Sequence, residues 1–207
     1  MTVKTYSRKY SFHETKNIIS GEGGALLIND PAFAERAEMV REQGTNRSKF
    51  YRSQVDKYTW IDVCSSYSPS KIIAAFLWAQ IQEVDSITAR RLAIWENYYA
   101  ALESLETVGR LRRPVIPNSC GHNAHIYYLL LRDLEDRAQF IHAMKNKGAH
   151  CVFQYVPLHN SPYRQKLAFT QGDLPVTEKL ADCLVRLPLW LGLNQSFMSC
   201  IIRCLSE

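Results

Sequence analysis

The stretch that decides the fold runs from Tyr10 to Asp30 and reads Y-S-F-H-E-T-K-N-I-I-S-G-E-G-G-A-L-L-I-N-D. Two short extended segments flank a polar turn, and the second segment is the apolar run Ala25–Ile28. Between them, Ser20–Gly24 contains three closely spaced glycines, which predict unusual backbone angles or close approach of another group. A phosphate-cradling loop would end in G-K-[ST] and lead into a helix, and neither follows here. The pattern therefore predicts a tight turn between two strands.

A helix is predicted directly after the second strand. Asp30 is a good cap and Pro31 suits the first turn of a helix. The helix is expected to reach about Gln43, because Gly44 is a natural stop. The polar and aromatic segment 45–68 is predicted to be an irregular loop and a contact surface.

A long helix is predicted from Ser70 to Val108, where neither Gly nor Pro occurs. Two apolar stripes at helical spacing lie within this stretch, and a single helix would span about 58 Å. Such a helix either kinks near Asp85–Ser86 or bridges two domains, and the bridge is the favoured interpretation.

The remainder of the chain alternates strand and helix patterns, which predicts an α/β plan. The predicted strands are 125–131 and 151–155, and the predicted helices are 135–147, 177–184 and 196–205. A domain boundary is expected near Val108–Arg113. The predicted domains are therefore residues 1–108 and 109–207.

Composition and charge narrow the function classes. Hydrophobic residues make up 46% and charged residues 22% of the chain, and the formal net charge is +5. This modest positive field suits anionic ligands and does not indicate nucleic acid. No apolar run reaches the length of about 18 residues that a membrane span needs. The polar and basic residues 1–9 do not form a secretory signal, so the cytoplasm is the expected location.

Metal and disulfide chemistry are not expected. The six cysteines include no C-x-x-C pair, which favours reduced thiols in a reducing compartment. His122 and His125 form H-x-x-H, but no carboxylate partner lies nearby in the sequence. A structural histidine pair is therefore favoured over a metal site.

A family resemblance extends over nearly the whole chain from Tyr10 onward. It begins with S-F-H-E-T-K-N and G-E-G-G-A-L-L-I-N-D, and it continues through E-R-A-E-M-V-R-E-Q-G-T-N-R-S, V-D-K-Y-T-W, L-W-A-Q-I, N-A-H-I-Y-Y and Y-V-P-L-H. These segments resemble the lysine segment and C-terminal half of the DegT/DnrJ/EryC1/StrS sugar aminotransferases. The resemblance implies the C-terminal part of a fold type I, aspartate aminotransferase-like transferase dependent on pyridoxal 5'-phosphate. That part has a long bridging helix and a small α/β C-terminal domain.

The resemblance also implies the cofactor residues. Lys16 matches the lysine that bonds the cofactor and then moves a proton between cofactor and substrate carbons, and a lysine amine attacks a carbonyl only when it is neutral. Ser11 and Ser66 match hydroxyls that contact the cofactor phosphate, with Ser66 on a loop that reaches the partner subunit. Because the spacing of five between Ser11 and Lys16 turns them to opposite faces of a strand, a bend is expected at Phe12–His13.

Substrate residues are implied in the same way. Tyr155 and His159 match a loop that lines the sugar side of the pocket, with a structural loop histidine as an equal alternative for His159. His13 is placed with the substrate residues, although a packed histidine is the favoured interpretation. The implied reaction moves an amino group from glutamate to the 4-keto carbon of dTDP-4-dehydro-6-deoxy-D-glucose, for surface polysaccharide.

The position of Lys16 sets a further expectation. In the family, the carboxylate for the pyridine nitrogen, the stacking aromatic ring and the phosphate-binding helix all precede this lysine. We therefore expect a homodimer, or association with an N-terminal half, driven by exposed apolar sides of Ala25–Ile28 and of the helix after Ser70. The alternative is a truncated, catalytically inactive chain that acts only as an assembly or binding module.

Overall fold

The structure is a computed structural model that describes residues 7–166 and 174–206. The chain divides into two compact units, residues 1–84 and residues 85–207. Residues 1–6, which belong to the stretch that argues against a secretory signal, lie outside the described part.

A two-stranded antiparallel hairpin opens the first unit. Strand β1, Ser7–Ser11, pairs with strand β2, Gly24–Ile28, so that Ser11 lies opposite Gly24. A Cβ atom at Gly24 would lie 2.7 Å from the carbonyl oxygen of Tyr10, so glycine permits the close approach of the strands. The hairpin confirms the two extended segments and the turn predicted between them.

Helices follow the hairpin. A 3-10 turn, Pro31–Phe33, leads into α1, Ala34–Arg41, and the side chain of Asp30 accepts a hydrogen bond from the Ala32 N–H at 3.0 Å. Gly44 has a φ of 68°, and its N–H donates to the carbonyl of Met39 at 2.8 Å. The predicted cap and stop are therefore confirmed. The segment predicted to be irregular contains one short helix, α2, Arg47–Tyr51.

The stretch predicted to form one bridging helix forms three helices instead. These are α3, Lys71–Gln82, α4, Val84–Ala101, and α5, Glu103–Thr107. The N–H of Glu83 donates to the carbonyls of Gln80 and Ile81, and such tightened bonds end an α-helix. The prediction of a single helix was wrong, and the break lies close to Asp85–Ser86, where a kink was the alternative.

The second unit contains a three-stranded antiparallel sheet of β3, Tyr127–Leu130, β4, Val152–Phe153, and β5, Leu184–Leu187. The strand order is β3–β5–β4. The further elements of this unit are α6, Leu134–Asn146, a 3-10 helix, Leu158–Asn160, α7, Pro162–Lys166, α8, Pro175–Cys183, and α9, Gln195–Ser206. Strand β5 follows α8 without a loop and was not predicted. The alternation of strand and helix agrees with the predicted α/β plan.

A hydrophobic core holds the described part of the second unit together. Tyr98 and Leu102 share one buried cluster with Tyr127, Leu129 and Val185, and all five side chains are fully buried. Burying a side chain of this size contributes about 1.5–3 kcal/mol. The C-terminal part of α4 therefore belongs with the sheet. The boundary between compact units consequently lies at Val84, earlier in the chain than the boundary predicted after Val108.

A buried arginine fixes the segment that leads into β3. Arg91 donates through Nε to the carbonyl of Ala124 at 3.1 Å and through Nη2 to the carbonyl of His125 at 2.8 Å. Burial lowers the pKa of its guanidinium. Because an unpaired buried carbonyl is costly, this side chain stabilises the turn at Ala124, whose φ is 50°.

Candidate functional site

Lys16 lies in the loop that connects β1 and β2. The strand pairing continues past the strands, because the Phe12 N–H donates to the Gly23 carbonyl and the Glu14 N–H to the Gly21 carbonyl, both at 2.9 Å. The N–H of Lys16 then donates to the carbonyl of His13 at 2.9 Å and closes a turn. The bend therefore lies at Glu14–Thr15, and the bend predicted at Phe12–His13 was wrong because the ladder still includes those residues.

The side chain of Lys16 is exposed. Within the described ranges, its amine has neither an ion pair nor a hydrogen bond. The loop thus presents a primary amine at its tip, and backbone hydrogen bonds stabilise the loop itself. Such an amine is available to a carbonyl compound.

The glycine-rich side of the loop is anchored by Ser20, which sequence reasoning did not single out. Ser20 is buried, its N–H donates to the carbonyl of Phe12 at 2.7 Å, and its hydroxyl donates to the carbonyl of Glu22 at 2.7 Å. Gly21 and Gly23 have φ values of 82° and 137°, which explains why glycine is required there. The one sequence signal for Ser20 as an anchor of the loop was its position directly before the G-E-G-G run.

Both ring nitrogens of His13 already have partners in the loop. Nδ1 accepts from the Thr15 N–H at 3.2 Å, so the ring proton of the neutral form lies on Nε2. Nε2 lies 3.5 Å from a carboxylate oxygen of Glu22. This arrangement suits a histidine that shapes the loop, and its predicted contact with substrate stays a prediction.

Two serines retain a hydroxyl proton for a ligand. Ser11 accepts from the His13 N–H at 3.4 Å, and Ser66 accepts from the Gln43 side chain at 3.4 Å. A hydroxyl that accepts can still donate. In contrast, the hydroxyl of Ser20 donates to a carbonyl within the loop. Ser11 and Ser66 are therefore suited to donate to a phosphate oxygen.

The segment that carries Ser66 is tied to the end of α1. Ser66 pairs with Glu42 in an antiparallel bridge, and Glu42 accepts from Arg41 at 2.7 Å and from the Ser48 N–H at 3.0 Å. Burial acts most strongly on this carboxyl and raises its pKa, but the hydrogen bonds from Arg41 and Ser48 outweigh burial, so the pKa lies below its ordinary value. Glu42 therefore ties Ser48 and Ser66 to the end of α1.

Tyr155 and His159 lie in the second unit. Tyr155 is 76% exposed, with the guanidinium of Arg186 at 6.0 Å from its ring centroid. The His159 side chain is 17% exposed, and its Nε2 lies 3.1 Å from a carboxylate oxygen of Glu178. The structure therefore gathers Ser11, His13 and Lys16 at one end of the hairpin, with Ser66 in the same unit, and places the two sugar-side candidates in the other unit.

A metal centre receives no support from the arranged side chains. Among residues 7–166 and 174–206, no three His, Cys, Asp or Glu side chains cluster to hold a metal ion. The ring of His122 packs on Trp95 at a centroid distance of 4.5 Å, and its Nδ1 accepts from the Ala124 N–H at 3.3 Å. Within the same ranges, no helix is both long and apolar enough to cross a membrane.

The arranged residues fit pyridoxal 5'-phosphate. The exposed amine of Lys16 matches an aldehyde, and the hydroxyl protons of Ser11 and Ser66 match the oxygens of a phosphate. The side chains of His13 and Ser20, in contrast, have their hydrogen-bond partners within the loop itself.

A family model for the DegT/DnrJ/EryC1/StrS aminotransferase family matches residues 5–206. Among curated proteins, the uncharacterised protein MJ1066 of Methanocaldococcus jannaschii is 30% identical over 188 residues, which cover 87% of this chain and 48% of that protein. The chain spans about half the length of the curated relatives it matches.

Solved structures show the same relationship. DesV from S. venezuelae is 26% identical, with a TM-score of 0.81, and the match covers 96% of this chain and 50% of that chain. The aminotransferase TlmJ from Streptoalloteichus hindustanus is 24% identical, with a TM-score of 0.80, and the match covers 96% and 50% respectively. The fold is therefore that of one half of a fold type I transferase.

Proposed function

The chain belongs to the DegT/DnrJ/EryC1/StrS aminotransferase family, a family of pyridoxal-phosphate enzymes, and on that premise we propose that it provides the lysine-bearing half of a sugar aminotransferase. The observation that carries the proposal is the exposed amine of Lys16 at the tip of a rigid hairpin loop. Backbone hydrogen bonds on both sides of the loop fix the backbone of Lys16, while its side chain remains accessible.

The roles of the residues follow from their chemistry. Pyridoxal phosphate, when bound, supplies an electron sink for bond cleavage at the carbon that bears the amino group. Lys16 would hold the cofactor through Nζ, and once the amino group of the substrate has displaced it, the freed amine would accept and return the proton that moves between carbons. Ser11 and Ser66 donate their hydroxyl protons to the phosphate and orient the cofactor against Lys16.

The proposed substrates are a nucleotide sugar and glutamate. We assign dTDP-4-dehydro-6-deoxy-D-glucose as amino acceptor, which would give dTDP-4-amino-4,6-dideoxygalactose for a surface polysaccharide such as enterobacterial common antigen. The family resemblance supports this choice, and the net charge of +5 suits an anionic diphosphate. Tyr155 and His159 are the proposed sugar-side contacts, and the cytoplasm, where nucleotide sugars are made, is the proposed location.

The proposed partner is a second copy of the chain or the half of the family fold that this sequence does not include. The support is the apolar surface of the first unit, where Leu26, Ile72 and Trp78 are exposed. A soluble chain rarely leaves so many large apolar side chains uncovered. The same observation favours the second candidate function, a non-catalytic assembly module.

Reductive trapping tests the proposed cofactor role. The purified chain would be incubated with pyridoxal phosphate, reduced with borohydride, digested and mapped by mass spectrometry. We expect the adduct on Lys16 and its loss in Lys16→Ala, with an absorbance band of lysine-bound cofactor that disappears in the same variant. The matched control is Lys9→Ala, because Lys9 is an exposed lysine on β1 of the same hairpin.

Two outcomes would contradict the cofactor role. One is an adduct distributed evenly over exposed lysines and unchanged by Lys16→Ala. The other is absence of both band and adduct, which would instead support the assembly module.

A further inference from the structure

A carboxylate from another element holds the imidazole of His159. His159 belongs to the 3-10 helix Leu158–Asn160, and Glu178 lies in the first turn of α8. Nε2 of His159 lies 3.1 Å from Oε1 of Glu178, and the side-chain amide of Asn160 donates to the same oxygen at 3.4 Å. The N–H of Glu178 in turn donates to the carbonyl of Leu174 at 3.0 Å. The helical backbone therefore fixes the position from which the Glu178 side chain extends, and its Oε1 receives both donors.

This pairing determines which ring nitrogen of His159 is left for another molecule. A carboxylate oxygen only accepts hydrogen bonds, so Nε2 must be the donor. The neutral ring then has its lone pair at Nδ1, which is an acceptor. In the described part of the chain Nδ1 has no partner, and the side chain is 17% exposed.

The surroundings of His159 match the chemistry of a sugar nucleotide. The segment around it, residues 155–163, exposes the large side chains Tyr155, Leu158 and Tyr163. Cations lie beside its aromatic rings, with Arg186 at 6.0 Å from the Tyr155 centroid and Arg137 at 5.4 Å from the Phe153 centroid. Aromatic faces accept sugar or base rings, and guanidinium groups suit phosphates.

We propose that Glu178 is a positioning residue, which fixes the imidazole of His159 so that Nδ1 accepts a hydrogen bond from a hydroxyl of the nucleotide sugar. This inference rests on the proposed function, because it assumes that a nucleotide sugar meets this loop. Glu178 does not touch the sugar and acts only through the ring. Its removal should therefore change the proton position on His159 as well as the binding of ligand.

The experiment combines a spectroscopic readout with a binding readout on the full chain. Nitrogen NMR of the histidine rings reports which nitrogen of His159 is protonated, without any ligand. Calorimetry with dTDP-glucose, an unreactive probe, reports binding. The variants are Glu178→Leu, which removes the acceptor, Glu178→Gln, which keeps an acceptor oxygen, and His159→Leu.

The expected results differ between the variants. Glu178→Leu should lose the single Nε2–H form and weaken dTDP-glucose binding about tenfold, the loss of roughly one hydrogen bond. Glu178→Gln should keep the Nε2–H form and bind within about twofold of the parent. Since both variants interrupt one interaction, Glu178→Leu with His159→Leu together should weaken binding no more than His159→Leu alone.

A matched control separates positioning from helix stabilisation. Glu135 occupies the first turn of α6 as Glu178 occupies the first turn of α8. Glu135→Leu should therefore leave both readouts unchanged. If Glu178→Leu fails to fold, the Gln variant still decides the matter, because a ring protonated on Nδ1 in that variant overturns the proposal.

Failure of this inference can be told apart from failure of the proposed function. If the parent binds dTDP-glucose but Glu178→Leu matches it, or if the two losses add, the positioning role is overturned. If the parent chain binds no dTDP-glucose and forms no adduct at Lys16, the proposed function fails and the ligand assigned to His159 fails with it.

Discussion

The two compact units differ in how far their apolar side chains are buried. Among the described residues, every hydrophobic side chain that is buried lies in the second unit, from Ile87 to Ile201. The first unit leaves Leu26 55%, Trp78 65% and Ile72 84% exposed. The second unit thus contains its own core, whereas the first unit carries the candidate cofactor lysine on elements without a core of buried apolar side chains. The candidate cofactor lysine and the buried core therefore lie in different parts of this chain.

The largest expected difference concerns two leucines on strands. Leu129 in β3 is fully buried, and Leu26 in β2 is exposed. We expect Leu129→Ala to lower the free energy of unfolding by about 2–5 kcal/mol, because it leaves a cavity. Leu26→Ala should change it by less than about 0.5 kcal/mol. Urea denaturation followed by circular dichroism measures both, and equal losses would break the contrast between the units.

The next prediction compares two glycines with positive φ. Gly44 has a φ of 68°, and a Cβ there would lie 1.9 Å from the Asp62 carbonyl oxygen, whereas Gly109 has a φ of 74° and open space. A left-handed backbone costs alanine about 1–2 kcal/mol at either position. The collision adds to this cost at Gly44, so Gly44→Ala should lower the free energy of unfolding by more than about 2 kcal/mol.

Hydrogen exchange provides the measurement for the glycine pair. The N–H groups of Ile61 and Asp62 donate to the Gly44 carbonyl at 2.7 and 3.0 Å. Their protection should fall in Gly44→Ala and remain unchanged in Gly109→Ala. Unchanged protection in Gly44→Ala would contradict the prediction, because it would mean that the backbone around Asp62 shifts to accommodate the added methyl group.

The third prediction is a pH dependence. Arg110 donates to both carboxylate oxygens of Asp136, at 2.9 and 2.8 Å, and Asp136 is 5% exposed. The hydrogen bonds from Arg110 hold the pKa of Asp136 below its ordinary value. Because the folded pKa is depressed, the stabilisation is present above the unfolded pKa of about 3.9 and is lost as the pH falls through the folded pKa.

Asp136→Asn tests the sign of this dependence. We expect the free energy of unfolding to fall by about 1.5–3 kcal/mol at pH 7. The difference in stability between variant and parent should shrink as the pH falls below about 4. The matched variant in the first unit is Glu38→Gln, since Arg52 pairs with Glu38 in an exposed ion pair. That change should cost at most about 1 kcal/mol. Thermal unfolding over a pH series distinguishes the two pairs.

The smallest effect on stability is expected on the exposed face of α3. The double variant Ile72→Ser, Trp78→Ser should alter the free energy of unfolding by no more than about 0.5 kcal/mol. It should nevertheless reduce self-association, which light scattering is expected to show as a dimer or larger assembly in the parent. Val108→Ser, an exposed apolar control in the second unit, should leave the assembly unchanged. A monodisperse monomer in the parent would contradict the association.

Local sequence signals predicted the local geometry well. The cap at Asp30 and the stop at Gly44 were confirmed, because a capping side chain and a left-handed glycine act within a few residues. The break at Glu83 was anticipated only as the less favoured alternative, a kink near Asp85–Ser86, since no Gly or Pro marks it. Strand β5 was missed because its four residues follow a helix directly, and Arg186 interrupts the apolar pattern.

The candidate site was only partly accessible from the sequence. The interpretation of Lys16 came from resemblance, since a lone lysine carries no local signal. The hydrogen bonds at the ring nitrogens of His13 depend on a turn whose position was predicted two residues too early. The carboxylate beside His159 comes from Glu178, on a separate helix, and side-chain pairs between elements leave no periodic pattern.

The order of strands in the second unit has a consequence for synthesis of the chain. Strands β3 and β4 each pair with β5, which lies between them although it is the last to be made. Until residues 184–187 leave the ribosome, β3 and β4 have no central strand to pair with. Because domains assemble as units during translation, the second unit should stay accessible to chaperones and proteases until β5 has emerged, and its three-stranded sheet should form only then.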